Sequence, residues 1–129
     1  MQRILLDTHV FLWAITADAR LSNESKGLFL SEGHALWVSA ASIWEMMTKA
    51  KLGKLPAQVT SAAYLRNQFQ SNRIRILPLS AEHAYQLETL PPLHRDPFDR
   101  MLVAQALAEQ IPIVTQDNQI RQYAVECCG

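Results

Sequence analysis

Short apolar runs alternate along this chain with segments of helical pattern, and this alternation limits the possible folds most strongly. The runs that predict buried strands are Arg3–Leu6, Ala35–Val38, Arg75–Leu77 and Ile111–Thr115, and an edge strand is expected at Val125. Strands separated by helices are joined by crossovers and run in the same direction. The pattern therefore predicts an α/β protein in three α/β/α layers, with a central parallel sheet of four to five strands.

Capping and stop signals set the bounds of the predicted helices. Ser39 is a favourable N-cap, and Gly53 ends the helix that follows it. Pro91 and Pro92 force a loop, and Pro97 suits a first helical turn. The predicted helices are Thr8–Thr16, Ser22–Gly33, Ser39–Leu52, Ser61–Ser71, Ser80–Leu90 and Pro97–Gln110, with a short helix after Asn118.

Length and composition predict a single domain over 1–129 with its own core. Apolar residues make up 49% of the chain and charged residues 19%, a balance typical of globular proteins. The apolar segment Ile4–Ile15 is interrupted by polar residues and is too short for a membrane helix. Cys127 and Cys128 are adjacent, which disfavours a disulfide or a zinc site, so a reducing cytoplasm is expected.

The charges are unevenly placed along the chain. The formal net charge is zero, which argues against a general nucleic-acid coat protein. Residues 46–81 contain six basic and no acidic residues, whereas the flanking parts are net acidic. These parts could fold into a cationic rim around an acidic pocket, although a solvated helix face would explain the basic segment equally well.

Four acidic residues, Asp7, Glu45, Asp99 and Asp117, are the main functional candidates. Asp7 and Asp117 follow predicted strands, whereas Asp99 and Glu45 lie on predicted helices that enter the same region. In open parallel sheets, ligands bind beyond the carboxyl ends of the strands, so we expect the four acids at one edge. Gathered carboxylates repel one another unless they are protonated or bind a cation, and metals held by carboxylates commonly catalyse phosphate chemistry.

Each acid also has a plain structural explanation. Asp7 could simply cap a helix, and Asp117 could form an Asx turn after its strand. Glu45 could lie on an exposed stripe and pair with Lys49 at i,i+4, although its neighbours are apolar. Asp96 is expected to be an N-cap. Because these separate explanations predict no common location, the expected convergence favours a site.

The histidines and tryptophans give weaker signals. The four histidines show no ligand spacing and are expected at the surface or the edge of the core, with His9 nearest the site. The tryptophans Trp13, Trp37 and Trp44 are expected in the core. An aspartyl phosphatase would have a second Asp two residues after Asp7, where this chain has His9, so a phosphomonoesterase is disfavoured.

Four segments of the chain resemble the PIN domain, and specifically the VapC-type toxins of bacterial toxin–antitoxin pairs. They are LLDTHVFLW, VSAASIWEMMTKAKLGKL, LHRDPFDRMLVAQAL and IVTQD, in the same order over essentially the whole chain. The resemblance implies a PIN-like fold and a metal-dependent ribonuclease. It also implies that Asp7, Glu45, Asp99 and Asp117 form the acidic metal site, with Asp7 and Asp99 as the firmest ligands.

The resemblance further implies supporting residues and a cofactor. Thr8, Thr115 and Arg100 fall at motif positions beside the acids, and Asp96 begins the helix that carries Asp99. The cofactor would be Mg²⁺, with Mn²⁺ as an alternative, because hard carboxylate oxygens suit these ions.

The implied partners are an RNA substrate, a cognate antitoxin protein and a second copy of the chain in a homodimer, with no membrane. The basic segment, including Lys49, Lys51 and Lys54, would bind the RNA backbone. A catalytically inactive PIN-fold module that acts only through protein contacts is the alternative.

Overall fold

The computed structural model describes residues 1–129 and contains one five-stranded sheet. Its strands are β1 (Gln2–Leu6), β2 (His34–Ser39), β3 (Arg75–Leu77), β4 (Ile113–Val114) and β5 (Cys127–Cys128). All neighbouring strands are parallel, and their order is β3-β2-β1-β4-β5. The first strand in the chain is therefore the central one, and every carboxyl end lies at the same edge of the sheet.

Seven α-helices connect or flank the strands. They are α1 (Thr8–Ile15), α2 (Asn23–Leu30), α3 (Ala40–Lys51), α4 (Ala62–Ser71), α5 (Ala81–Gln86), α6 (Pro97–Glu109) and α7 (Asn118–Arg121). A short 3₁₀ helix, Leu87–Thr89, continues α5. None of these helices is long and apolar enough to cross a membrane.

The two faces of the sheet are covered by separate hydrophobic clusters. Alternate side chains of β1 enter different clusters, with Ile4 and Leu6 on one side and Leu5 on the other. The first cluster includes Phe11 of α1, and the second includes Leu102 of α6. Burial on both faces is the arrangement expected for a parallel sheet between helical layers. The predicted three-layer α/β/α fold with a parallel sheet of four to five strands is confirmed.

Two predicted helices end earlier in the structure than their patterns indicate. The second helix ends at Leu30, because Ser31 has an extended backbone and starts the turn into β2. The predicted helix Ser80–Leu90 ends at Gln86 as an α-helix and continues only as the 3₁₀ helix. Leu90 itself is extended, as expected for a residue that precedes a proline.

The edge strand forms at Cys127–Cys128, two residues beyond its predicted position at Val125. Its backbone completes the ladder beside β4. The Ile113 N–H donates to the Glu126 carbonyl at 2.9 Å, and the Thr115 N–H donates to the Cys128 carbonyl at 2.8 Å. Both cysteines are free, and partial burial raises the pKa of each thiol.

Candidate active site

Local turns hold three of the four candidate acids at the carboxyl edge of the sheet. Asp7 follows β1 and caps α1, and Asp117 follows β4 after two residues and caps α7. Asp99 lies in the first turn of α6. Asp96 caps that helix, and its Oδ1 accepts from the N–H groups of Phe98 and Asp99 at 2.8 and 3.2 Å. The N-cap role predicted for Asp96 is thus confirmed.

Three of the four acids are buried, and the pKa values of Asp7 and Asp99 are raised. Asp7, Glu45 and Asp99 are 3%, 1% and 6% exposed, so nearly all of their surface is removed from water. The pKa of Asp99 is raised to about 7, mainly by burial and also by the charges of Asp96, Glu45 and Asp7, while His94 acts in the opposite direction. Burial also raises the pKa of Asp7, and the charge of Asp117 adds to this effect. The predicted convergence of the four acids is therefore present in the fold.

Both carboxylate oxygens of Asp7 accept hydrogen bonds. Its Oδ1 accepts from the Val10 N–H at 2.7 Å, and its Oδ2 accepts from the Thr115 hydroxyl at 2.5 Å. The Thr115 hydroxyl in turn accepts from the Asp117 N–H at 3.0 Å. Thr115 thus links the acid that follows β1 to the acid that follows β4, which is the geometry needed to orient a carboxylate.

His94 lies between two of the acids, a position that the sequence did not reveal. Its Nε2 is 3.0 Å from Oδ2 of Asp99 and 3.1 Å from Oδ2 of Asp117. Its Nδ1 accepts from the Asp96 N–H at 3.1 Å, which assigns a proton to Nε2. One ligand atom from each of His94, Asp99 and Asp117 lies within 4.8 Å of the others. The only local signal was the position of His94 two residues before a helix cap.

Glu45 is both buried and ion-paired. The sequence suggested either an acid of the buried site or an exposed residue that pairs with Lys49, and neither explanation alone describes its surroundings. Its Oε2 accepts from Nζ of Lys49 at 2.6 Å, the predicted i,i+4 contact, but the carboxylate does not lie on an exposed stripe. Its Oε1 is buried without any hydrogen-bond partner. An unpaired buried carboxylate oxygen is unfavourable, and a cation beside it would remove that penalty.

The other predicted supporting residues contact the framework of the site. Thr8 begins α1, and its hydroxyl donates to the Ser42 hydroxyl on α3 at 2.8 Å. Arg100 does not contact the acids. Its guanidinium donates to the Pro91 carbonyl at 3.2 Å and to the Tyr123 hydroxyl at 3.3 Å. These contacts hold the loop that carries His94, the residue that lies between Asp99 and Asp117.

The three lysines predicted to bind RNA have different surroundings. The ammonium of Lys49 faces the acids, and its hydrogen bond to Glu45 raises its pKa. Lys51 and Lys54 are exposed. Only the latter two are therefore free to meet a ligand without first giving up an ion pair.

A cavity of about 290 Å³ opens beside Asp7 and Asp117. His9 and Trp13 line it, with their ring centroids 5.8 Å apart, so the expected proximity of His9 to the site is present. Arg20 lines it too, with its guanidinium 5.1 Å from the Trp13 ring. The cavity therefore combines two carboxylates, one cation and aromatic surface.

The prediction that the tryptophans belong to the core is wrong for Trp44, which is 66% exposed. Its ring packs edge-on against Phe98 with the centroids 5.1 Å apart. Trp13 and Trp37 are only partly buried. The inner side of α3 is occupied by other residues, including Glu45 and Met46, so Trp44 is left outside.

The donor set fits a hard divalent cation. Carboxylate oxygens predominate, and burial, followed by the charges of neighbouring acids, raises the pKa values of Asp7 and Asp99, a cost that a bound cation would relieve. The unpartnered Oε1 of Glu45 points to the same conclusion. No soft thiolate lies in the cluster of His94, Asp99 and Asp117.

Comparison with known proteins shows which family has this sequence pattern. The PIN domain family matches residues 4–126. Ribonuclease VapC16 of Mycobacterium tuberculosis is 35% identical over 71 residues, which are 55% of this chain and 48% of that protein. The matched stretch thus spans about half the length of this curated relative.

Solved structures share the whole fold at low sequence identity. A chain of VapBC2 from Rickettsia felis, bound to a DNA fragment from their promoter, aligns with a TM-score of 0.73 and 16% identity, over 99% of this chain and all of that chain. A chain of VapBC-5, from a toxin–antitoxin system of Mycobacterium tuberculosis, aligns with a TM-score of 0.63 and 17% identity, over 98% and 96% of the two chains. These similarities show the fold.

Proposed function

This chain belongs to the PIN domain family, and we propose that it is a metal-dependent endoribonuclease that acts as the toxin of a toxin–antitoxin pair. The observation that carries the proposal is the gathering of Asp7, Glu45, Asp99 and Asp117 at one sheet edge, with one buried carboxylate oxygen unpartnered. The similarity to a protein named as a ribonuclease supports RNA as the substrate.

The proposed metal ligands are the four acids, with Mg²⁺ as the cation and Mn²⁺ as a substitute, because their oxygens are hard donors. When bound, such a cation supplies charge that stabilises phosphodiester hydrolysis and lowers the pKa of an attacking water. The chain itself contributes orientation and proton placement. Thr115 fixes the carboxylate of Asp7, and Nε2 of His94 donates to Asp117 at 3.1 Å and lies 3.0 Å from Asp99.

The carboxyl group of Asp99 can hold a proton within the site. Its pKa of about 7 means that, without a cation, much of it remains protonated near neutral pH. A ligand cation would favour its ionised form and release the proton. We propose that the exposed Lys51 and Lys54 attract the RNA phosphates toward these acids, whereas the guanidinium of Arg20 is already paired with Asp18 at 2.8 Å.

The proposed partners are a cognate antitoxin and a second copy of this chain, acting in the cytoplasm. The antitoxin is supported by the similarity of the fold to chains of VapBC toxin–antitoxin complexes.

A titration of Mg²⁺ and Mn²⁺ into the purified protein with a labelled single-stranded RNA tests the proposed activity. We expect cleavage only with added metal, leaving 5′-phosphate and 3′-hydroxyl ends. Isothermal calorimetry of the metal alone provides a separate measure of binding. An absence of both metal binding and cleavage would contradict the proposal.

One observation favours a second candidate, a catalytically inactive module. The acids already have partners within the chain, since the Lys49 ammonium pairs with Glu45 and Nε2 of His94 lies 3.0 and 3.1 Å from Asp99 and Asp117. If these internal pairs are the permanent state, the same titration will show neither metal binding nor cleavage, while the protein still captures its protein partner.

The toxin role predicts arrest of growth when the chain is expressed alone in bacteria. Expression of the adjacent small open reading frame should relieve the arrest. The Asp99→Asn variant should be harmless at the same protein level, because the arrest depends on the acidic site. Growth curves with immunoblots measure both points, and undiminished toxicity of this variant would show that RNA cleavage is not the cause.

A further inference from the structure

A second polar concavity lies at the opposite edge of the sheet from the acids. This groove, here called the arginine groove, has a volume of about 860 Å³ and is formed around the amino ends of β1, β2 and β3. Arg3, Arg73 and Arg75 line it, and Glu32 is the only acidic residue that does so. The arginine groove is therefore net cationic in a chain whose formal net charge is zero.

Strand register brings two of these arginines to one tryptophan. Trp37 is the register partner of Arg75 on β3 and of Leu5 on β1, and Arg3 lies two residues before Leu5 on the same sheet face. The guanidinium carbons of Arg3 and Arg75 lie 5.8 and 5.9 Å from the Trp37 ring centroid. Such cation–π contacts orient the guanidinium groups without neutralising their charge.

Two of the three arginines have no anionic partner within the chain. Arg3 pairs weakly with Glu109 at 3.4 Å, whereas Arg73 and Arg75 take part in none of the ion pairs. Both are exposed. Cations held near one another repel, so an anionic ligand with several oxygen atoms would bind here favourably.

We propose that the arginine groove binds backbone phosphates of single-stranded RNA, as a subsite remote from the acidic edge. The inference rests on the proposed ribonuclease function and extends it to substrate positioning. Guanidinium groups pair with phosphate oxygens in a forked geometry, and a space of about 860 Å³ admits more than one phosphate group.

The dimensions of the sheet allow one RNA strand to reach both edges. Strand β2 has six residues and therefore spans about 20 Å between the arginine groove and the acidic edge. Because helices cover both faces of the sheet, the RNA must pass outside them or around the β3 edge, so its path is longer than the strand and requires several nucleotides or more. The groove would thus hold one end of an RNA while another phosphodiester lies at the acids.

The test compares two charge-matched double variants of the full chain. R73Q/R75Q removes two positive charges from the groove, and N23D/K26Q lowers the net charge by the same two units at exposed positions of α2 that do not line it. Binding of a labelled single-stranded oligoribonucleotide is measured by fluorescence anisotropy in EDTA over a salt series. Thermal unfolding verifies that both variants are folded.

We expect R73Q/R75Q to raise the Kd about tenfold at low salt and to reduce the salt-dependence slope by about 1.4, or about 0.7 for each lost phosphate contact. N23D/K26Q should change both values little. With Mg²⁺ present, R73Q/R75Q should raise the KM for RNA cleavage and leave kcat nearly unchanged, because the arginines do not contact the acids.

Three results would overturn the subsite. The first is wild-type RNA binding by R73Q/R75Q in a protein that cleaves RNA, which would leave the ribonuclease function standing. The second is an equal loss of binding in both double variants. The third is a change of oligomeric state or a loss of antitoxin binding in R73Q/R75Q without a change in RNA affinity, which would assign the groove to a protein contact. RNA binding that depends on Arg73 and Arg75 in a protein without nuclease activity would instead support the groove and contradict the proposed function.

Discussion

Replacement of Asp99 by Asn is expected to lower metal-dependent RNA cleavage by on the order of 10³-fold, since a metal centre contributes several kcal/mol to a hydrolysis barrier. The carboxylate of Asp99 is 6% exposed and lies beside His94 and the other acids. An Asn in its place is nearly the same size but carries no charge for the cation. Initial rates at saturating Mg²⁺ and RNA measure the effect.

The same substitution at Asp7 should have a similar effect on cleavage without unfolding the protein. Asp7 caps α1 through the Val10 N–H, and Asn is an equally good N-cap residue. Glu88→Gln is the matched control, because Glu88 is exposed on the short 3₁₀ helix and makes no ion pair. Full activity in both the Asp7→Asn and Asp99→Asn variants would exclude the acidic edge as the catalytic centre.

The metal-free protein is expected to lose stability as the pH rises from about 4 to about 7. The pKa of Asp99 is about 7 in the folded protein, against 3.8 for an unperturbed Asp. Between these values the folded state binds more protons than the unfolded state, so the free energy of unfolding falls with increasing pH. Below about pH 4 Asp99 is protonated in both states, and above about pH 7 it is ionised in both. The full decrease in the free energy of unfolding is therefore reached only above about pH 7.

The size of this penalty makes it measurable. The difference between 3.8 and about 7 corresponds to roughly 4 kcal/mol. At pH 8 in EDTA, Asp99→Asn should therefore unfold about 15 °C above the wild type, and the two should differ little near pH 4. Added Mg²⁺ should stabilise the wild type at pH 8 and have less effect on the variant. Parallel melting curves of the two proteins across this pH range would contradict the raised pKa.

The strand–helix alternation was sufficient to predict the layers and the edge at which the acids meet. Local signals carry this information, because apolar runs identify the strands and capping residues such as Asp7 and Asp96 identify where helices begin. The edge strand was placed two residues early, since a strand of two residues has no periodicity to read. The helix over Ser80–Leu90 was predicted too long, since the chain turns to a 3₁₀ helix at Leu87 and Leu90 is extended before Pro91.

The site was predicted less completely than the fold. The four acids were identified because each is placed by its own strand or helix. The residues that contact the acids were not identified. His94, for example, contacts Asp117, which lies 23 residues further along the chain, and no spacing rule links the two. The exposure of Trp44 was missed for a related reason, because an apolar helix has more apolar positions than the core can cover.

The sequence by itself determined which residues enter strands and helices, and hence that the acids lie beyond the carboxyl ends of a parallel sheet. Only the tertiary structure decided which side chains meet there and at the other edge. The contact of His94 with Asp99 and Asp117 and the contact of Trp37 with two arginines depend on how separate elements pack. Local backbone preferences act over a few residues, whereas such contacts depend on strand register and helix packing across the whole chain.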